Sequence, residues 1–142
     1  MSELKIKTDI INIDLAIGCD IKNITNQINK IIMKSTIETG MANIFVVGST
    51  GSVTTIEYES GVVEDLKRAI DEIAPQGIEY EHEKAWHDGN GHSHVQAALM
   101  GPSLTIPVRL GKMKLGTWQQ VVVINHDNHS RKRDIEITIT GA

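Results

Sequence analysis

From Asp88 to His94 the chain reads Asp-Gly-Asn-Gly-His-Ser-His, placing two imidazoles, a carboxylate and a carboxamide in one short polar run. Neutral imidazole and carboxylate are good ligands for zinc and related divalent ions. An extended conformation from Ser93 to Met100 would put His92, His94 and Gln96 on one face and Val95, Ala97 and Leu99 on the other, because side chains alternate along a strand. His82 and His87 lie just upstream and would complete a partial shell. Two solvated histidines on a sheet face account for the same spacing.

Three further groups could take part in chemistry. The loop Gly48-Ser49-Thr50-Gly51-Ser52 has the composition of a nest whose backbone N–H groups and hydroxyls receive a phosphate, although a tight strand-to-strand turn has the same composition. It lacks the Gly-Lys-Ser or Gly-Lys-Thr of a P-loop. Among the carboxylates, Glu57, Glu59, Asp65 and Asp88 lie nearest these segments in sequence. Trp118-Gln119 either packs and meets water, or holds a heteroaromatic ring by stacking and hydrogen bonding. Cys19 is the single cysteine, which excludes an intrachain disulfide, fits a reducing cytoplasm and reads as a small buried hydrophobe.

These groups need a scaffold, and the apolar pattern supplies one. Lys5 to Asp14 reads as a strand. Asp20 is a candidate N-cap for a helix carrying Ile21, Ile24, Ile28, Ile31 and Ile32, with Gly40 as its stop. Ile44–Val47 and Val53–Tyr58 read as strands, and a second helix from about Gly61 to Ala74 ends at Pro75. The runs Val95–Met100, Leu104–Val108, Trp118–Asn125 and Asp134–Thr140 also read as strands. Two early helices among many strands predict an α+β class.

A chain of 142 residues fits one domain, residues 1–142. Only 4% of its residues are aromatic, so the core must rest on Ile, Val and Leu. The net charge of -4 argues against general nucleic-acid binding. Charge is uneven: Glu57 to Asp88 carries -7, whereas Arg109 to Arg133 carries +5 and could receive a small phosphorylated ligand. The N-terminus alternates charged and apolar residues, so no signal peptide is expected, and no segment is long enough to span a bilayer.

Taken in order, Phe45 to Glu57, Asp65 through the helix to Pro75, His82 through Asn90 and His94 to Gly101-Pro102-Ser103, and Leu115-Gly116-Thr117-Trp118-Gln119 resemble the YjbQ family, whose members are often called secondary thiamine-phosphate synthases. Arg131-Lys132-Arg133 and the last strand are also similar. The resemblance implies an α+β sandwich of mixed strands with two main helices, assembled as a homotrimer with polar sites near subunit boundaries. It implies a reaction joining a pyrimidine pyrophosphate to a thiazole phosphate, with release of pyrophosphate. A metal- or phospholigand-binding trimer without catalysis fits as an alternative. The family's His-Thr-Thr-Ala tetrad falls on Gly48-Ser49-Thr50-Gly51, so this chain lacks that histidine.

On this reading Glu57, Asp65, Asn90 and Gln119 are candidates for chemistry. Ser49, Thr50, Thr54, Trp118, Arg131 and Arg133 are candidates for substrate binding. His82, His92 and His94 are the candidate ligands of a divalent metal, zinc first, with magnesium an option beside a pyrophosphate. No nucleic acid or membrane partner is expected.

Overall fold

The computed structural model, which describes residues 3–142, follows the order β1 (Lys5–Leu15), β2 (Asp20–Asn23), α1 (Thr25–Ser35), β3 (Thr39–Val46), β4 (Gly51–Glu57), α2 (Ser60–Ile73), α3 (Glu81–Trp86), α4 (Gly91–Met100), β5 (Ser103–Arg109), β6 (Lys112–Met113), β7 (Gln119–Asn125) and β8 (Arg131–Gly141). Two sheets form, one of order β1-β8-β3-β5-β6 and one of order β2-β7-β4. Every pairing is antiparallel, so the expected mixture of strand directions is not found. The α+β class stands, with four helices rather than two.

Alternation builds the layers. Ile135, Ile137 and Ile139 of β8 and Ala42, Ile44 and Val46 of β3 point inward onto Ile24, Ile28 and Ile32 at α1. In β7, Val121 and Val123 enter this main core, while Val122 and Ile124 face a second core with Ile21, Ile70 and Leu66. β7 is therefore buried on both faces, and each such aliphatic side chain contributes about 1.5–3 kcal/mol relative to exposure. The same strand delivers its next residues, His126 and Asp127, into the interior.

Three sequence expectations change. Asp20 does not cap a helix: it opens β2, with its carboxylate accepting the Ala16 N–H at 2.8 Å, because Ile21 is taken up by pairing with Ile124. The helix begins at Thr25 and stops at Ser35, with Thr36 in a left-handed conformation at φ 63. Gly40 lies instead within β3, where a Cβ would collide with the Thr140 carbonyl oxygen.

The largest change concerns Ser93–Met100, which is helical. Its buried residues include His92, Ser93, Gln96 and Ala97, a spacing of one and four that follows a helix and not a strand. The alternation of Val95, Ala97 and Leu99 does not reflect burial, since Val95 and Leu99 are exposed.

Candidate functional site

Glu83 ties the starts of two helices together. One carboxylate oxygen accepts the Tyr80 N–H at 3.2 Å and the other the Gly91 N–H at 2.7 Å. A Cβ at Gly91 would come within 2.6 Å of the Tyr80 side chain, so this close approach requires glycine. The joint brings His82 of α3 against His94 of α4, with ring centroids 4.6 Å apart and planes inclined at 47°. Nε2 of His82 lies 3.2 and 3.3 Å from the two Asp88 carboxylate oxygens. Desolvation opposes ionisation of Asp88, but the Asn90 N–H and His82 outweigh it and hold the carboxyl below its ordinary range.

Ligand atoms of His82, Glu83 and Asp88 all lie within 4.8 Å of one another. A nitrogen and carboxylate donor set suits zinc and similar ions. Of the expected His82, His92 and His94 set, only His82 belongs to that close group. On a helix, residues two apart point about 200° apart. His94 therefore faces His82 while His92 is buried on the other side of α4. His94 lines a cavity of about 330 Å³ with Gly48, Ser49, Gly51, Ala97 and Pro102. A larger cavity of about 680 Å³ beside α1 and the β5–β6 turn has no histidine or cysteine in its lining.

A second polar centre lies at the β7–β8 turn. Buried Asp127 accepts from Thr50 Oγ1 at 2.9 Å, Arg131 Nε at 3.0 Å and the His129 N–H at 3.0 Å. Burial alone would raise its pKa, but these donors hold it far below the usual carboxylate range. Arg133 is buried, and its Nη2 donates to Thr50 Oγ1 and to Asn125 Oδ1, each at 2.6 Å. Arg133 thus spends Nη2 on the scaffold, while Nε has no hydrogen-bond partner and Nη1 lies beside Gly48. Arg131 keeps about half of its side chain exposed.

On the opposite face of β7, His126 Nδ1 pairs with Gln96 Oε1 at 2.9 Å and Nε2 with Ser52 Oγ at 2.7 Å. Gln96 donates its amide to the Ala74 carbonyl, so its oxygen accepts from Nδ1–H and Ser52 donates to Nε2. Burial, reinforced by Arg133 and His92, lowers the His126 pKa to about 4.

Asn90 is buried, and its Oδ1 accepts the Ser93 hydroxyl and, at 3.1 Å, the Asn128 N–H. Asn128 in turn donates to the Asp88 carbonyl at 2.8 Å, joining the turn after β7 to the histidine loop. The other candidates lie elsewhere. Gln119 donates to Thr55 at 3.1 Å and is opposite Glu57 in the β4–β7 register. With exposed Trp118 they occupy the far end of the three-stranded sheet, about 20 Å along β7 from Asn125. Thr54 lies mid-strand opposite Val122, and exposed Asp65 pairs with Arg68 at 3.0 Å. His126, Asp127, Asn128 and His129 are absent from the expected set, although their density equals that of the first histidine run.

An antiparallel α+β domain with a histidine–carboxylate group beside a small-residue cleft defines the class of this protein. The chain belongs to the YjbQ-like UPF0047 family, whose description, "UPF0047 protein YjbQ-like", matches residues 10–142. It is 33% identical over 119 residues to a UPF0047 protein of Methanothermobacter thermautotrophicus, covering 84% of this chain and 81% of that one. It is 32% identical over 106 residues to UPF0047 protein YjbQ of Salmonella typhimurium, covering 74% and 76%. The crystal structure of a protein of unknown function from Sulfolobus solfataricus superposes with a TM-score of 0.93 at 32% identity, over 99% of this chain and 100% of that one. A conserved protein from Clostridium acetobutylicum gives 0.79 at 32% identity, over 91% and 98%.

Proposed function

We propose that the protein is a secondary thiamine-phosphate synthase working as a homotrimer with a divalent metal, zinc in the first instance and magnesium as the option a pyrophosphate brings. In the reaction the thiazole nitrogen lone pair forms a bond to the pyrimidine methylene carbon while the bond from that carbon to the pyrophosphate oxygen breaks. The products are thiamine phosphate and pyrophosphate. The observation that carries this reading is the convergence of His82, Glu83 and Asp88, next to the His94-lined cleft.

His82 and Asp88 would hold the metal, with Glu83 alongside. Bound there, the ion would supply positive charge to the leaving pyrophosphate. Arg131 offers a partly exposed guanidinium for phosphate oxygens, and the Ser49 hydroxyl and the cleft would orient the ligand. Trp118 and Gln119 would cover the ring of the pyrimidine. Their distance from His94 within one chain favours a site closed by a neighbouring subunit, and Ile6, Ile10, Met41 and Phe45 leave an apolar sheet face exposed for such an assembly.

The alternative, a trimer that binds a metal or phospholigand without catalysis, is favoured by one observation: Gly48 stands where the resemblance calls for histidine. Incubating metal-loaded protein with both substrates and separating the products distinguishes the two readings. Equal amounts of thiamine phosphate and pyrophosphate are expected. Pyrophosphate binding without product would replace synthesis by the binding role.

A further inference from the structure

A second cavity lies across α4 from the cleft just described. It measures about 290 Å³ and is lined by Cys19, Lys67, Asp71, Gln76 and His92, with Gln96 and His126 at its base. Gly18 lets the β1–β2 loop approach this closely, since a Cβ there would meet the Asn125 carbonyl oxygen at 2.6 Å. The base of the cavity is already committed: both His126 nitrogens and both Gln96 amide atoms have protein partners.

His92 is different. Its side chain is more than nine-tenths buried, yet Nδ1 has no hydrogen-bond partner among the described residues and is not sealed from the cavity. Nε2 contacts Ser93 Oγ at 3.2 Å. The single proton of that hydroxyl is directed to Asn90 Oδ1 or the His126 carbonyl, so Ser93 accepts from Nε2–H, and in that tautomer Nδ1 is a bare acceptor. The rim adds opposite charges four residues apart on α2. Lys67 reaches only Glu64, at 3.4 Å, and Asp71 accepts the Gln76 N–H at 3.4 Å without any ion pair among the described residues.

We propose that this cavity binds a small free α-amino acid. Its ammonium would donate to Asp71 and to Nδ1 of His92, and its carboxylate would face Lys67 and the Gln76 amide. Cys19 and Ile70 would border the side chain. Burial raises the Cys19 thiol to about 11, so it remains protonated and acts as wall rather than nucleophile. The cavity of about 290 Å³ is several times the roughly 30 Å³ of one liquid water, which leaves room for a small amino acid such as glycine or L-serine.

The test is a titration followed by amide NMR of the intact protein, using glycine and L-serine as probes, with glycine betaine lacking N–H donors and ethanolamine lacking the carboxylate. Glycine or L-serine should move the resonances of Cys19, Asp71 and His92, and neither control should. Asp71→Asn and Lys67→Met change exposed or rim side chains and should each weaken binding by about tenfold or more. His92→Gln, which keeps an acceptor, should bind more tightly than His92→Leu. No shift at these residues with either probe, equal binding of the controls, or affinity unchanged in both α2 variants would each overturn the proposal, even if a His92 variant failed to fold.

Discussion

A Cβ on Gly48 would lie 2.7 Å from Nη1 of Arg133, so this glycine, which falls where the family resemblance calls for histidine, and the guanidinium beside it occupy adjoining space. Gly48 also has φ +127, a backbone conformation costly for other residues. Arg133 cannot swing away without giving up Thr50 and Asn125.

Placing a histidine at position 48 should therefore destabilise this chain. Gly48→His is expected to lower unfolding free energy by about 1–3 kcal/mol through backbone strain and displacement of Arg133. Urea denaturation of the variant against the unaltered protein measures it, and an unchanged midpoint would mean that the loop relaxes freely.

The two arginines should behave oppositely. Arg133→Met removes a buried cation near Asp127 and one of the two donors to Asn125 Oδ1, the Asp127 N–H being the other, which should cost about 3–5 kcal/mol of stability. Arg131→Ala, altering a half-exposed side chain, should weaken pyrophosphate binding by about 1.5–3 kcal/mol with a smaller loss of stability. Calorimetry and denaturation on both variants separate these effects.

His126 sets a pH dependence. Its pKa is lowered in the fold from 6.5 to about 4, so its contribution is fully present above pH 6.5 and is lost as pH falls toward about 4. The span corresponds to roughly 3 kcal/mol. Denaturation across this range should show the decline, and His126→Gln should flatten it. An equal slope in the variant would assign the decline to other groups.

Metal binding should follow the close group rather than the histidine triplet. His82→Ala and Asp88→Asn are each expected to reduce zinc affinity by about 10–100-fold or more, while His92→Gln leaves it within about twofold. Elemental analysis of tag-free protein after equilibration with zinc provides the check. Loss of zinc in the His92 variant alone would restore the triplet.

Strands with unambiguous neighbours were legible in the sequence: β1, β4, β5, β7 and β8 lie close to their expected ranges, as does α2. The misreadings share a cause. Ile21 and Val95 sit in patterns compatible with either period, and tertiary pairing decided each, with Ile124 drawing Ile21 into a strand and the Asn90–Ser93–Asn128 bonds fixing the start of α4. That error carried over to the site, because reading a strand put His92 and His94 on one face. His126 and Asp127 were hidden differently. They follow an apolar strand, and only a strand buried on both faces makes its next two residues internal.

β7 carries Trp118 at its entrance and His126 at its exit, and a rigid strand fixes the span between them. Under the proposed assembly, working sites are counted by boundaries and not by chains. Subunits defective at Trp118 and subunits defective at His94 would be inactive apart, yet mixing them would create some boundaries with both intact halves and restore part of the activity.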